Sequence, residues 1–123
     1  MKTQKRLEEK FKTFISMDDY PYFTYIHDNK GVFTYLSDNV TLLLGFSPDE
    51  FKKSYLNSLT PNTINRNTII NTETTLITGK QQDPYQIEIY DKHLNRRLIK
   101  VYESPVIIEG KVEEIEGVAK VLN

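Results

Sequence analysis

Apolar residues recur along this chain with two different periods, and the change of period divides it. Over residues 2–16, Leu7, Phe11, Phe14 and Ile15 stand at i, i+4, i+7 and i+8 of an otherwise charged segment. That spacing predicts an amphipathic helix, ended by Asp18, Asp19 and Pro21. Its stripe needs cover, either from the domain behind it or from a partner chain. Residues 22–36 read as a hairpin, two aromatic and β-branched runs around the turn residues Asp28-Asn29-Lys30-Gly31. Ser37 or Asp38 caps a short helix over 39–44, which Gly45 ends. Ser47-Pro48-Asp49-Glu50 combines an N-cap serine, an early proline and a glutamate at the third position, and starts another helix. Phe51 and Tyr55, four apart, form its inner face.

Residues 60–78 also read as a helix, with Gly79 as the stop, but the apolar stripe is sparse. Seven of these 19 residues are Thr and four are Asn, both poor helix formers, so tertiary packing must hold the segment. From residue 83 the period becomes two. Tyr85, Ile87 and Ile89 alternate with Gln86, Glu88 and Tyr90 in one strand. Residues 97–108 form a long second strand, whose Pro105 marks a bulge or an edge. Glu109-Gly110-Lys111 turns the chain into a last strand over 112–122. Two strands, a helical middle and three strands make an α+β domain with one antiparallel sheet. The expected division is an N-terminal amphipathic helix over 1–19 and one domain over 20–123.

Composition narrows the function classes. A chain of 123 residues supports one core. The net charge of -1 argues against a nucleic-acid partner. There is no Cys, which removes disulfides, thiolate metal sites and Cys nucleophiles, and two His are too few for a multi-His metal site. No apolar run approaches a membrane span or a signal peptide, so the expectation is a cytoplasmic domain without direct membrane contact. Catalytic motifs are missing, with no phosphate loop, nucleophile elbow or zinc-helix pair. His27 beside Asp28 is the one candidate acid–base pair, and the simpler reading, a strand-end His next to a turn Asp, is favoured over it. His93 lies in a polar hairpin and reads as solvated.

One resemblance covers residues 20–123. The stretch Asp28-Asn29-Lys30-Gly31-Val32-Phe33-Thr34-Tyr35-Leu36-Ser37-Asp38-Asn39-Val40, then Leu43-Leu44-Gly45-Phe46-Ser47-Pro48-Asp49-Glu50-Phe51, resembles the opening of a PAS domain. Arg97-Leu98-Ile99-Lys100-Val101, Ser104-Pro105-Val106, Gly110-Lys111-Val112 and Gly117-Val118-Ala119-Lys120 are similar to the last three strands of that family. The resemblance implies a five-stranded antiparallel sheet of order 2-1-5-4-3 with helices on one face and a ligand pocket between. It implies a sensory, non-enzymatic domain that dimerises and controls an output module of histidine kinase or diguanylate cyclase type, which this sequence does not contain. Many members end on Asp-Ile-Thr, which couples the sheet to the exit helix. Here Val121-Leu122-Asn123 stands instead, which puts that coupling in doubt. Flavin-adduct and photoactive-yellow members need a Cys, and haem-binding members mostly use a His on the helix before the third strand. Neither is present, so no cofactor is expected.

The family pattern with strand parity places Tyr25, His27, Phe33, Tyr35, Ile99, Val101, Ile115 and Ala119 on the helix side, together with Tyr85, Ile87 and Ile89. Asn65, Thr68 and Thr72 of the long helix are the polar candidates to face them across a cavity. The expected ligand is a small metabolite polar at one end, such as an organic acid or amide, with His27 as a pH-sensitive contact. Ile26, Tyr90, Leu98, Tyr102 and Val118 fall on the other face. Of these, Ile26, Leu98, Tyr102 and Val118, with Leu7, Phe11 and Phe14, make the expected homodimer surface. Two alternatives stand beside this reading. One is a ligand-free module of the same fold, with Tyr25, Phe33 and Tyr35 filling the core, used for dimerisation or docking. The other is a cone-shaped α+β enzyme with His27 and Asp28 as acid and base.

Overall fold

Five strands form one antiparallel sheet in the order β2-β1-β5-β4-β3, the order expected from the sequence. The structure, a computed structural model, describes residues 2–123. In chain order the elements are α1 (Lys2–Lys10), α2 (Lys12–Ser16), β1 (Tyr22–Asp28), β2 (Phe33–Leu36), α3 (Val40–Leu44) and α4 (Pro48–Ser58). A 3-10 turn (Thr63–Asn65) then leads into α5 (Arg66–Thr78), β3 (Tyr85–Tyr90), β4 (Arg96–Ile108) and β5 (Lys111–Val121). Most sequence signals for these elements work as physics requires, but the cap expected at Ser37 or Asp38 does not form: Asn39 stands at the N-cap of α3 with no side-chain cap bond, and the Ser37 hydroxyl accepts the Thr24 N–H instead. Ser47 and Glu50 form a reciprocal capping box at the start of α4, with bonds of 3.1 and 2.9 Å. Gly45 and Gly79 take left-handed backbone to end α3 and α5. Pro105 lies beyond Val101, where the β3 pairing stops, so its missing N–H costs no bond on that side. The bulge foreseen there follows one step later, between Val106 and Ile107.

The sheet is buried on both faces. On one face α3, α4 and α5 cover a core of Phe23, Tyr25, Leu36, Val40, Leu44, Phe51, Ile87, Ile89, Ile99, Val101, Ala119 and Val121. On the other, α1 and α2 lie across β1 and β5. Leu7, Phe11 and Phe14 pack there against Ile26 and Val118, with Tyr22, Tyr35 and Tyr102 at the margin. Two charged residues of β5 flank Val118 on this second face. Glu116, 3% exposed, bonds Arg6 and Lys10. Lys120, 1% exposed, bonds Asp18 at 2.9 Å and lies 3.9 Å from the centre of the Phe14 ring. The N-terminal helix is therefore fixed by an apolar stripe with an ion pair at each end.

This packing corrects the expected dimer surface. Leu7, Phe11, Phe14, Ile26 and Val118 are all covered within the chain, Leu7 and Val118 completely. Only Leu98 and Tyr102 of the set stay half-buried. The exposed stripe that motivated the dimer does not exist in this arrangement. A homodimer through these residues would first have to lift the helix from its own sheet.

The end of β5 is pinned to β4 through Asn123. The Asn123 side chain accepts the Leu98 N–H at 2.7 Å, and the Arg97 guanidinium donates to the Asn123 carbonyl at 2.6 Å. The doubtful position is thus occupied by an amide that pins the strand end to β4. Among the described residues no helix is long and apolar enough to cross a membrane.

Leu7→Ala tests whether the N-terminal helix is docked in solution. The residue has no exposed surface, so truncation should destabilise the fold by about 2–5 kcal/mol in urea denaturation. A change within experimental error would mean that the helix spends its time off the sheet.

Candidate functional site

One row of residues across the sheet builds the site. Tyr25 on β1 pairs with Gly117 on β5, and Gly117 pairs with Glu103 on β4. The three stand side by side, with Glu103 two strands from Tyr25, about 10 Å away at the usual strand spacing. Gly117 has no side chain, and the Tyr25 ring lies in the space this leaves. A Cβ added at Gly117 would sit 2.4 Å from Tyr25 Cζ and 2.5 Å from its hydroxyl oxygen. The ring can therefore reach over β5, and its hydroxyl donates to Glu103 Oε2. From the other side the Tyr85 hydroxyl donates to Glu103 Oε1 at 2.9 Å. His27 Nε2 stands 3.8 Å from Glu103 Oε2. Glu103 is 9% exposed, and a buried carboxylate has to gather donors in this way.

This polar cluster borders a cavity of about 280 Å³ between the sheet and helices α4 and α5. The sheet side is Ile87, Ile89, Ile99, Val101 and Ala119, and the aromatic wall is Phe23, Phe33, Phe51 and Tyr55. Thr68, Ile69, Thr72 and Glu73 come from α5, and Lys30 and Gly31 from the β1–β2 turn. Thr75 is the only fully buried residue of α5. That helix covers the cavity with little apolar anchorage of its own. Asn71, Thr74 and Thr78 donate to carbonyls one turn back, as polar side chains in a helix often do. The Thr68 hydroxyl is buried and has no partner. Among the described residues no group of His, Asp and Glu is arranged to hold a metal.

Electrostatics follow from burial and from Glu103. The Tyr25 and Tyr85 hydroxyls are pushed well above the ordinary phenol range, by burial first and then by the Glu103 charge. Burial raises Tyr55 as well. For His27, burial alone would lower the pKa. The opposing pull of Glu103 and of the Asp28 carbonyl, 2.7 Å from Nδ1, outweighs it, and the net shift is upward.

Ten of the thirteen residues expected to bind ligand line this cavity: Tyr25, His27, Phe33, Thr68, Thr72, Ile87, Ile89, Ile99, Val101 and Ala119. Three do not. Tyr35 lies on the opposite face, against the N-terminal helix. The reason is a bulge: His27 pairs with Phe33 but Ile26 pairs with Tyr35, so Thr34 is the extra residue and the parity flips. Asn65 is a sheet-edge anchor. Its amide accepts the Glu88 N–H at 2.7 Å and donates to the Glu88 and Thr60 carbonyls at 2.8 and 2.9 Å. Ile115 shares the inner face but pairs with His27 and Pro105, one row beyond Gly117, and does not reach the cavity. The proposed His27–Asp28 acid–base pair does not form either. The Asp28 carboxylate accepts the Lys30 and Val32 N–H groups in the turn, and only its backbone carbonyl meets the imidazole. The sequence reading missed Glu103 and Gly117. Parity carried the signal for Glu103, which is in step with Ile99 and Val101.

No protein-family model matches the sequence, and no curated protein matches it. Solved structures do match. One is the N-terminal domain of a diguanylate cyclase with a PAS/PAC sensor from Marinobacter aquaeolei, at 12% identity and TM-score 0.71, over 83% of this chain and 95% of that one. The PAS-B domain of Drosophila melanogaster Cycle, with bound ethylene glycol, is similar at 13% identity and TM-score 0.69, over 81% and 99%. A sensory box histidine kinase/response regulator from Burkholderia thailandensis matches at 14% identity and TM-score 0.68, over 92% and 84%. The chain has the PAS fold. Within that fold the cavity lies between sheet and helices, where the resemblance places a ligand pocket.

Two measurements test the cluster. Gly117→Ala should cost about 1–3 kcal/mol, because the added methyl displaces Tyr25 from Glu103. The same change in a Tyr25→Leu background should cost much less, and equal costs would refute the spatial role given to Gly117. The second concerns pH. The folded-state pKa of His27 lies above its ordinary 6.5, so its protonated form is the one stabilised. That contribution is complete below pH 6.5 and is lost as pH rises through the raised value. The stability difference between the unaltered protein and His27→Gln should therefore shrink from weakly acid to alkaline pH in thermal melts. A difference that grows with pH would mean that His27 is held neutral.

Proposed function

We propose that this chain is a sensory and regulatory domain that binds a small ligand in the cavity beside Glu103 and controls an output domain elsewhere in a longer protein. The observation that carries this reading is the cavity itself, an apolar space with a few convergent polar groups, which is the usual make-up of a small-molecule site. The solved relatives in a diguanylate cyclase and a histidine kinase support an output module of those types. The enzyme alternative needed His27 and Asp28 as a pair, but the Asp28 carboxylate is engaged by the Lys30 and Val32 N–H groups of its own turn. The ligand-free alternative required Tyr25, Phe33 and Tyr35 to fill the core. Tyr25 and Phe33 do meet edge to face at 5.6 Å, but Tyr35 is on the other face and the space beside them stays open.

The mechanism is a shift between two pre-existing arrangements. A ligand that bonds Glu103 alters the acceptor shared by Tyr25 and Tyr85. Tyr25 bears on Gly117 of β5, whose neighbour Glu116 holds Arg6 and Lys10 of the N-terminal helix. A change in the cavity therefore reaches the opposite face of the sheet through one peptide unit.

A thermal-shift screen of small metabolites tests the reading. A ligand at a hundred times its dissociation constant should add about 2.7 kcal/mol, several degrees for a domain of this size. The shift should vanish in Thr72→Phe, which fills the cavity from α5. A shift of unchanged size in that variant would place the binding elsewhere.

A further inference from the structure

The chemistry of the cavity narrows what it takes, given that it binds a ligand at all. The two hydroxyls of the polar cluster and one ring nitrogen of His27 are already committed. The Tyr25 and Tyr85 hydroxyls both donate to Glu103, and His27 Nδ1 is bound to the Asp28 carbonyl. Acceptor capacity is left over. A carboxylate offers about four lone-pair positions, and the two tyrosines use two of them. His27 Nε2 stands 3.8 Å from Glu103 Oε2, too far for a direct bond and suited to one donor shared between them. A carboxylate head in this place would meet Glu103 as a like charge, and the donors that remain, the unpartnered Thr68 hydroxyl on α5 and Lys30 in the turn, come from other parts of the cavity wall. The remaining walls are aliphatic and aromatic.

We propose that the cavity takes a small molecule with an apolar body and a protonated amine at one end, the ammonium seated between Glu103 and His27. The size is bounded as well. A cavity of about 150 Å³ holds a benzene ring. The 280 Å³ here therefore suits a body of about ten non-hydrogen atoms. It differs from the organic acid or amide expected from the sequence, because Glu103, the residue on which the charge preference rests, was not among those recognised there.

His27 is the competing cation in this site. When the ammonium takes the shared position, the imidazole must supply a lone pair and so gives up its proton. The charged and titratable groups around it are Glu103 on β4, Asp28 and Tyr25 on β1, Tyr85 on β3, Tyr55 on α4, Glu73 on α5 and Lys30 in the turn. Of these, His27 is the group that ordinarily titrates near neutrality. Amine affinity should therefore rise between about pH 5.5 and about pH 8, while the probe stays charged.

The test uses three probes of one shape, 2-phenylethylamine, 2-phenylethanol and 3-phenylpropionate, titrated into the full chain by calorimetry. The expected result is about tenfold or tighter binding of the amine than of either other probe, with the stated rise in pH. Glu103→Gln should abolish the preference, with the alcohol binding as before and the acid binding more tightly as the like charge is removed. If the alcohol or the acid binds as tightly as the amine, the amine assignment is overturned and the ligand-binding reading survives. If all three fail to bind at millimolar concentration, both are overturned. Should Glu103→Gln not fold, the ranking of the three probes and the pH trend in the unaltered protein decide the question alone.

Discussion

Two buried charges on the central strand set the terms for the rest of this molecule. Glu116 and Lys120 point to the face of the sheet that a half-covered sheet would give to water, and neither is exposed. A charge removed from solvent needs a partner, and both sets of partners come from the N-terminal segment. Arg6 and Lys10 serve Glu116; Asp18 and the Phe14 carbonyl serve Lys120. The helix is thus part of the fold's own electrostatics. Its apolar stripe supplies the adhesion, and the two ion pairs fix its register on the strand.

The helix-side face obeys the same rule with a different outcome. Glu103 is buried there too, but among two hydroxyls and an imidazole rather than arginine and lysine side chains. Two strong donors satisfy part of its capacity, and the rest stays open to whatever enters the cavity. One sheet therefore carries two kinds of buried acid. Glu116 is closed by salt bridges and is structural, whereas Glu103 is left incomplete beside an empty volume.

Much of this was legible in the sequence because it rests on local rules. The capping residues Ser47 and Glu50, the glycine stops at 45 and 79 and the alternation through Ile87 and Ile89 each have one structural solution, and the sheet order came with the resemblance. What escaped depends on distant partners. Parity fails at Tyr35 because the bulge at Thr34 is set by pairing with β1. Asn65 was read as a pocket residue because nothing local shows that Glu88 lies beside it. The stripe of Leu7, Phe11 and Phe14 was legible as a surface in need of cover, but its cover on β5 is a contact across more than a hundred residues. Glu103 was within reach of parity reasoning. It was passed over because an acid in strand alternation usually faces water.

The alternation in β5 also limits how this sequence can change over time. Gly117 and Ala119 face the cavity side, while Glu116, Val118 and Lys120 face the helix. Substitutions can be absorbed one at a time on either side. An insertion or deletion of one residue exchanges the two sides, bringing both charges into the apolar core and the small residues under α1 and α2. Length variation in descendants of this gene should therefore collect in the 79–84 connection and the turns, and leave the distance between Glu116 and Lys120 unchanged.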